Sequence, residues 1–211
     1  MTRYYSRPGQ TPLLVALDTQ REYVTPGRPL HLRGIEPALE NCRRLLAHAR
    51  AHNWPVAHVR HVQDSHVFNA NMEWSRFVKG FEPQAHEMVF SKDNLSCYST
   101  PEFVRMMESA VHNQIYLMGF EAQACCLSTL VDAFHRGHSL AYVADASLAR
   151  RTALGDEQES FRWVLEVISI YAPALTTDEV LAAEGGHAVT HSLLPTRPVS
   201  GISRGIPHDH H

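Results

Sequence analysis

Two kinds of apolar pattern alternate along the chain. Short continuous runs occur at residues 12–17 (PLLVAL), 55–59, 88–90, 115–118 and 139–144. Each has the length of a strand, and the lack of alternation suits strands buried on both faces of a parallel sheet. Between them come stretches with helical spacing. Ile35, Ala38, Leu39, Cys42, Leu45, Leu46 and Ala49 repeat along one face, with Pro37 fitting the first turn. Thr100-Pro101-Glu102 reads as a helix start, with Thr as cap, Pro first and Glu in the first turn, and the helix runs to about Ser109. Leu127, Leu130, Val131 and Phe134 share a face that Gly137 stops. Asp156 and Glu159 have the spacing of a capping box for a helix through Tyr171, with Phe161, Val164, Leu165 and Ile168 inward. Residues 174–177 read as a last short strand and 177–183 as a short helix.

Strands alternating with helices predict a three-layer α/β/α fold around a mostly parallel sheet of about six strands. Residues 1–184 form the expected domain, and 185–211, rich in Gly, Pro, Ser and His, an extended tail within reach of a neighbouring subunit. Residues 19–34 carry Pro26, Gly27, Pro29 and Gly34 and read as loop. Residues 62–87 have no clean period and hold Phe68, Trp74, Phe77 and Phe81 among polar residues. They read equally as a lid over a pocket and as an irregular cover for the core edge.

In such sheets the working groups gather at the carboxyl ends of strands. Asp18, Lys92 and Cys125 fall there: a carboxylate that could take a proton, a cation, and a thiol. Cys125 lies between a strand and a helix, where unpaired N–H groups favour the thiolate, so its pKa is expected below the free value of about 8.5. Each residue also has a plain structural reading. Cys125 could be a small buried hydrophobe, Asp18 a turn or cap residue, and Lys92 a solvated lysine. Their convergence at strand ends is what favours chemistry.

Composition excludes several classes. A hydrophobic fraction of 44% supports a sizeable core, and a net charge of -3 gives no footprint for nucleic acid. No apolar run approaches the roughly 18 residues that span a membrane. Cys42, Cys97, Cys125 and Cys126 show no CxxC spacing, and the N-terminus lacks an apolar leader core, so the expected compartment is the cytoplasm. No glycine-rich phosphate loop follows the first strand, which argues against a nucleotide-binding doubly wound protein.

Three segments resemble the isochorismatase-like cysteine hydrolases over about residues 11–182. LLVALDTQREYV matches an apolar strand, Asp18, Gln20 and an aromatic, Tyr23. KDNLSCYSTPEF matches Lys92 followed by Ser96, Cys97 and Tyr98. GFEAQACCLSTLVDAFHRGHSLAYVADA matches Gly119, a nucleophilic Cys125 six residues on, and a strand ending in Asp145-Ala146. The resemblance implies an Asp18–Lys92–Cys125 triad, a non-prolyl cis peptide before Glu121, and an oxyanion hole of the Glu121 and Cys125 N–H groups. It further implies covalent hydrolysis of a small amide or ureide without cofactor, by a homo-oligomer (dimer or tetramer). Isochorismatase proper cleaves a vinyl ether and does not use this cysteine, so vinyl-ether hydrolysis is one alternative; a non-catalytic binding protein is the other.

Gln20, Tyr23, Arg60, Trp74 and Tyr98 are the candidate substrate contacts. Arg60 ends the second strand, where a guanidinium could grip a carboxylate, and a surface arginine is its plain reading. No metal is expected. The family's metal-binding members carry Asp-x-His after the second strand, where this chain has Arg60-His61-Val62-Gln63. Asp64-Ser65-His66 comes three residues late, and His61 and His66 read as polar loop residues. Ala122 stands where the family often has Thr, and Cys126 where a small aliphatic is usual. Cys126 shares a helical face with Leu130 and Ala133, so it should pack inward and stay inert while Cys125 faces the strand ends.

Overall fold

The computed structural model describes residues 10–110 and 113–183. The expected tail therefore lies outside the described residues. The strands are β1 (Leu13–Leu17), β2 (Val56–His61), β3 (Met88–Lys92), β4 (Ile115–Gly119), β5 (Leu140–Val143) and β6 (Ala174–Leu175). The helices are α1 (Arg21–Val24), α2 (Glu36–Ala51), α3 (Pro101–Ser109), α4 (Leu127–His135), α5 (Glu157–Ile168) and α6 (Thr177–Ala183). All strand pairs are parallel, in the order β3-β2-β1-β4-β5-β6. The chain winds outward from β1 to β3, then returns to place β4 on the other side of β1. The carboxyl ends of β1 and β4 are thus the switch point, where such sheets open a crevice.

Successive strand residues point to opposite faces, and both faces are covered. Leu14, Ala16, Val56, Tyr116 and Met118 pack under α2 (Leu39, Cys42, Leu45, Leu46) and Val180 of α6. Leu13, Val15, Leu17, Ala57, Val59, Ile115 and Leu117 pack under α3 (Phe103, Met107), α4 (Leu130, Ala133) and Ile168 of α5. Burial on both sides explains why these strands read as unbroken apolar runs.

Several local expectations change. The inward face of α4 is Thr129, Leu130 and Ala133, and Phe134 is 41% exposed. Residues Ala122–Cys126, just before the helix, form a wide π-turn. Thr100 sits at the cap position of α3, but its hydroxyl donates to the Ser91 carbonyl at 3.1 Å and so ties the helix to β3. The Asp156–Glu159 capping box is formed, with bonds of 2.9 and 3.2 Å, and α5 ends at Ile168 rather than Tyr171. β2 and β3 extend further than their apolar runs, and their register sets His61 beside Lys92 and Arg60 beside Ser91.

Candidate active site

Three strand ends supply the site. Asp18 follows β1 with φ 49°, a left-handed conformation that a short acidic side chain tolerates better than most, and it is fully buried. Lys92 closes β3, and its Nζ lies 2.8 Å from Asp18 Oδ2. The same ammonium donates to Cys125 Sγ at 3.3 Å and to the Asn94 carbonyl at 3.1 Å. His61 closes β2, with Nδ1 3.1 Å from Lys92 Nζ and 4.0 Å from Cys125 Sγ. All four side chains are at most 5% exposed.

The segment after β4 delivers the thiol. Gly119 has φ 120°, and a Cβ there would collide with the Leu17 carbonyl of β1. A cis peptide joins Phe120 to Glu121. The flanking N–H groups are used, Phe120 donating to Leu17 O at 3.0 Å and Ala122 to Leu148 O at 3.0 Å. The π-turn then closes with Cys126 N donating to Glu121 O at 3.2 Å. Within it Cys125 turns to Lys92. Cys126 is fully buried beside Leu130 and Ala133, its thiol 3.5 Å from the Gly119 carbonyl.

Electrostatics correct one expectation. The Cys125 pKa is not lowered but raised well above the ordinary thiol value. Burial is the main cause and the Asp18 charge the next, and Lys92 opposes both without prevailing. Burial pushes the Lys92 pKa down, but Asp18 and the thiol outweigh it and raise the pKa above the ordinary lysine value. His61 is pushed down by burial and by the Lys92 charge, against Asp18, Gln63 and Asp93. The resting cluster therefore sets the Lys92 ammonium against Asp18, with a neutral thiol and a neutral imidazole beside it.

A family model of the isochorismatase domain matches residues 12–169. The chain belongs to the isochorismatase family. An uncharacterized isochorismatase family protein of Bacillus subtilis is 24% identical over 179 residues, 81% of this chain and 99% of the relative. Maleamate amidohydrolase of Pseudomonas putida is 27% identical over 146 residues, 61% of this chain and 68% of the relative. Among solved structures, an isochorismatase from Pseudomonas putida KT2440 superposes with a TM-score of 0.74 at 25% identity, covering 80% of this chain and 89% of that one.

Within this isochorismatase-family fold, the expected substrate contacts separate. Tyr23 lies by the cluster. It packs against Phe68 and Phe120 at 5.5 and 6.0 Å, and burial first, then Cys125, Asp18 and Glu121, raise its pKa. Glu121 is 3% exposed, with Oε1 3.5 Å from Arg150 Nη2. Gln20 is instead a brace: its amide donates to the His61 and Ser75 carbonyls at 2.9 and 2.7 Å and accepts from His61 N at 2.8 Å. Arg60 faces away, because it neighbours His61 on a strand, and its Nε donates to Ser91 Oγ at 3.0 Å. Tyr98 is also turned aside, its hydroxyl 2.8 Å from His138 Nδ1 and its ring edge-on to Phe103. Trp74 is half-buried and lies under the Arg28 guanidinium at 5.4 Å.

His61 is the residue that the sequence reading misplaced. It is the last rung of β2, not a loop residue, and the pairing of its strand with the one carrying Lys92 was the signal available. Phe68 was grouped only with the irregular segment. Its ring stacks on His61 at 4.8 Å, while Phe81 of the same segment is buried against the core. Residues 62–87 thus cover both the site and the core edge. Asp64 and His66 are exposed and stand apart from the cluster. Asp18, His61 and Cys125 offer donor atoms within 4.8 Å of one another, a spacing that could hold a metal ion. Lys92 touches all three, so an ammonium already occupies the place where a cation would bind.

Proposed function

We propose that this protein hydrolyses a C–N bond in a small amide or ureide through a Cys125 thioester. The observation that carries this reading is the Lys92 ammonium held between Asp18 and Cys125 at the strand ends. Kinship with maleamate amidohydrolase supports the bond type. Asp18 takes the thiol proton as Cys125 attacks the carbonyl, and Lys92 balances the negative charge. The Glu121 and Cys125 N–H groups hold the oxyanion. Ammonia or a small amine leaves with the proton from Asp18. Asp18 then deprotonates water, which cleaves the thioester and restores the thiol. A buried, neutral resting thiol suits this scheme, since the proton moves only when substrate is in place.

The reading needs no metal or cofactor and includes assembly into a homo-oligomer and a reducing cytoplasm. Four free cysteines agree with the compartment. Exposed apolar side chains on α5 and in the turn after it, Trp163, Val167 and Ile170 at 66, 42 and 65% exposure, support assembly, which sedimentation would test. The functional test is ammonia release from nicotinamide, carbamoyl and ureido amides by wild type and Cys125→Ala. Release by the wild type alone supports the reading. Release that survives Cys125→Ala, or a vinyl ether cleaved in preference to every amide, overturns it.

A further inference from the structure

We propose that His61 is a positioning residue that holds the Lys92 ammonium against the Cys125 thiol. The inference rests on Cys125 being the nucleophile and assigns a role to a group outside the Asp18–Lys92–Cys125 set. An ammonium has three protons, and Lys92 has four acceptors in reach: Asp18, Cys125, Asn94 O and His61 Nδ1. Asp18 and Cys125 lie toward the switch point, whereas His61 comes from β2, between β1 and β3. The imidazole therefore fixes the ammonium from the strand beside its own.

The ring is well constrained for that task. Its backbone N–H donates to Gln20 Oε1 at 2.8 Å and its carbonyl accepts from Gln20 Nε2 at 2.9 Å. Phe68 lies parallel on one face of the ring, 15° from coplanar. Nδ1 must be unprotonated to accept from Lys92, so the proton sits on Nε2. The charged or titratable groups near the ring are Lys92 on β3, Asp18 after β1 and Cys125 in the turn after β4; the Asp93 backbone also reaches it, and Gln63 and Phe68 cover it from the irregular segment. A protonated imidazole would lose its acceptor and set a second cation beside Lys92.

The test reads the thiol directly and needs no substrate. Full-length wild type, His61→Leu, His61→Asn and His61→Gln are treated with iodoacetamide across pH, and alkylation of Cys125 is followed by peptide mass. Leu removes the acceptor. Asn presents an amide oxygen near the position of Nδ1, whereas Gln presents one near Nε2. Without its acceptor the ammonium drifts from the thiol, so Leu and Gln should move the alkylation profile up by about one pH unit, a roughly tenfold slower reaction on the rising limb. Asn should track the wild type. If Leu fails to fold, the Asn–Gln contrast still decides. Superimposable profiles for wild type, Leu and Gln, or equal impairment of Asn and Gln, overturn the role of His61 and leave the thioester reading intact. A wild-type Cys125 that resists alkylation at every pH overturns both.

Discussion

Two buried histidines stand three residues apart on β2 and meet opposite faces of the sheet. His58 pairs with Glu87 at 2.9 Å, and Arg50 grips the same carboxylate with two bonds of 2.8 and 2.9 Å. Burial pushes the Glu87 carboxyl up, but Arg50, the Gln84 N–H and His58 outweigh it and bring its pKa to about 2. His61 meets a lysine, a carboxylate and a thiol. Both clusters combine imidazole, carboxylate and cation. In the first, the planar guanidinium is spent on the carboxylate, and the cluster staples residues 82–87 to α2 and β2. In the second, the ammonium is a compact charge shared between a carboxylate and a thiol at the switch point. The same residue types make a brace or the proposed reactive centre according to which cation they share and where along the strand they lie.

The contrast breaks most sharply on side-chain deletion. Cys125→Ala should leave a folded protein with turnover down by roughly 10⁴-fold or more, measured as ammonia release alongside a thermal melt. Lys92→Met should be nearly as inactive and less stable by about 3–5 kcal/mol in urea titration, because Asp18 is then buried without its partner. Glu87→Ala should show the opposite pattern. It strands Arg50 and His58, so stability should fall by about 2–4 kcal/mol while kcat stays within a few-fold. A Glu87→Ala enzyme that is stable but dead would erase the distinction between the two clusters.

Acid should test both regions together. His58 and His61 are pushed below their usual pKa mainly by burial, so the unfolded chain binds more protons near neutrality. Their contribution to stability is present above about pH 6.5 and is lost as pH falls below it. Glu87, moved from 4.5 to about 2, contributes above pH 4.5 and loses its part as pH falls toward 2. The melting temperature should therefore drop in two stages on acidification, and Glu87→Ala should remove the lower one.

The layer order, the sheet and the three strand-end residues were legible in the sequence, because burial on both faces and fixed motif spacing are local signals. The face of α4 was legible in part: the spacing puts Cys126, Leu130 and Ala133 inward, where they are buried, but it also puts Phe134 on the apolar face, and Phe134 is 41% exposed. The fate of Gln20, Arg60 and Tyr98 was not legible, since their side-chain directions depend on strand register and on partners 31 to 41 residues away. The thiol pKa was misjudged for a similar reason: proximity to a helix start was visible, but the depth of burial was not. Smaller effects follow from these corrections. Cys126→Val should cost about 1 kcal/mol or less and keep most activity, as a nearly volume-conserving change. Arg60→Met should leave KM within about twofold, because its guanidinium points away from the cluster.

The central claim is a thioester on Cys125. Wild-type protein is mixed with an amide that it turns over, quenched in acid within one turnover, and its peptides weighed. The account predicts an acyl adduct on the peptide carrying Cys125, at the sulfur, and none on Cys126, Cys97 or Cys42. An unmodified Cys125 peptide during sustained ammonia release, or an adduct that persists on another residue in Cys125→Ala, would contradict it.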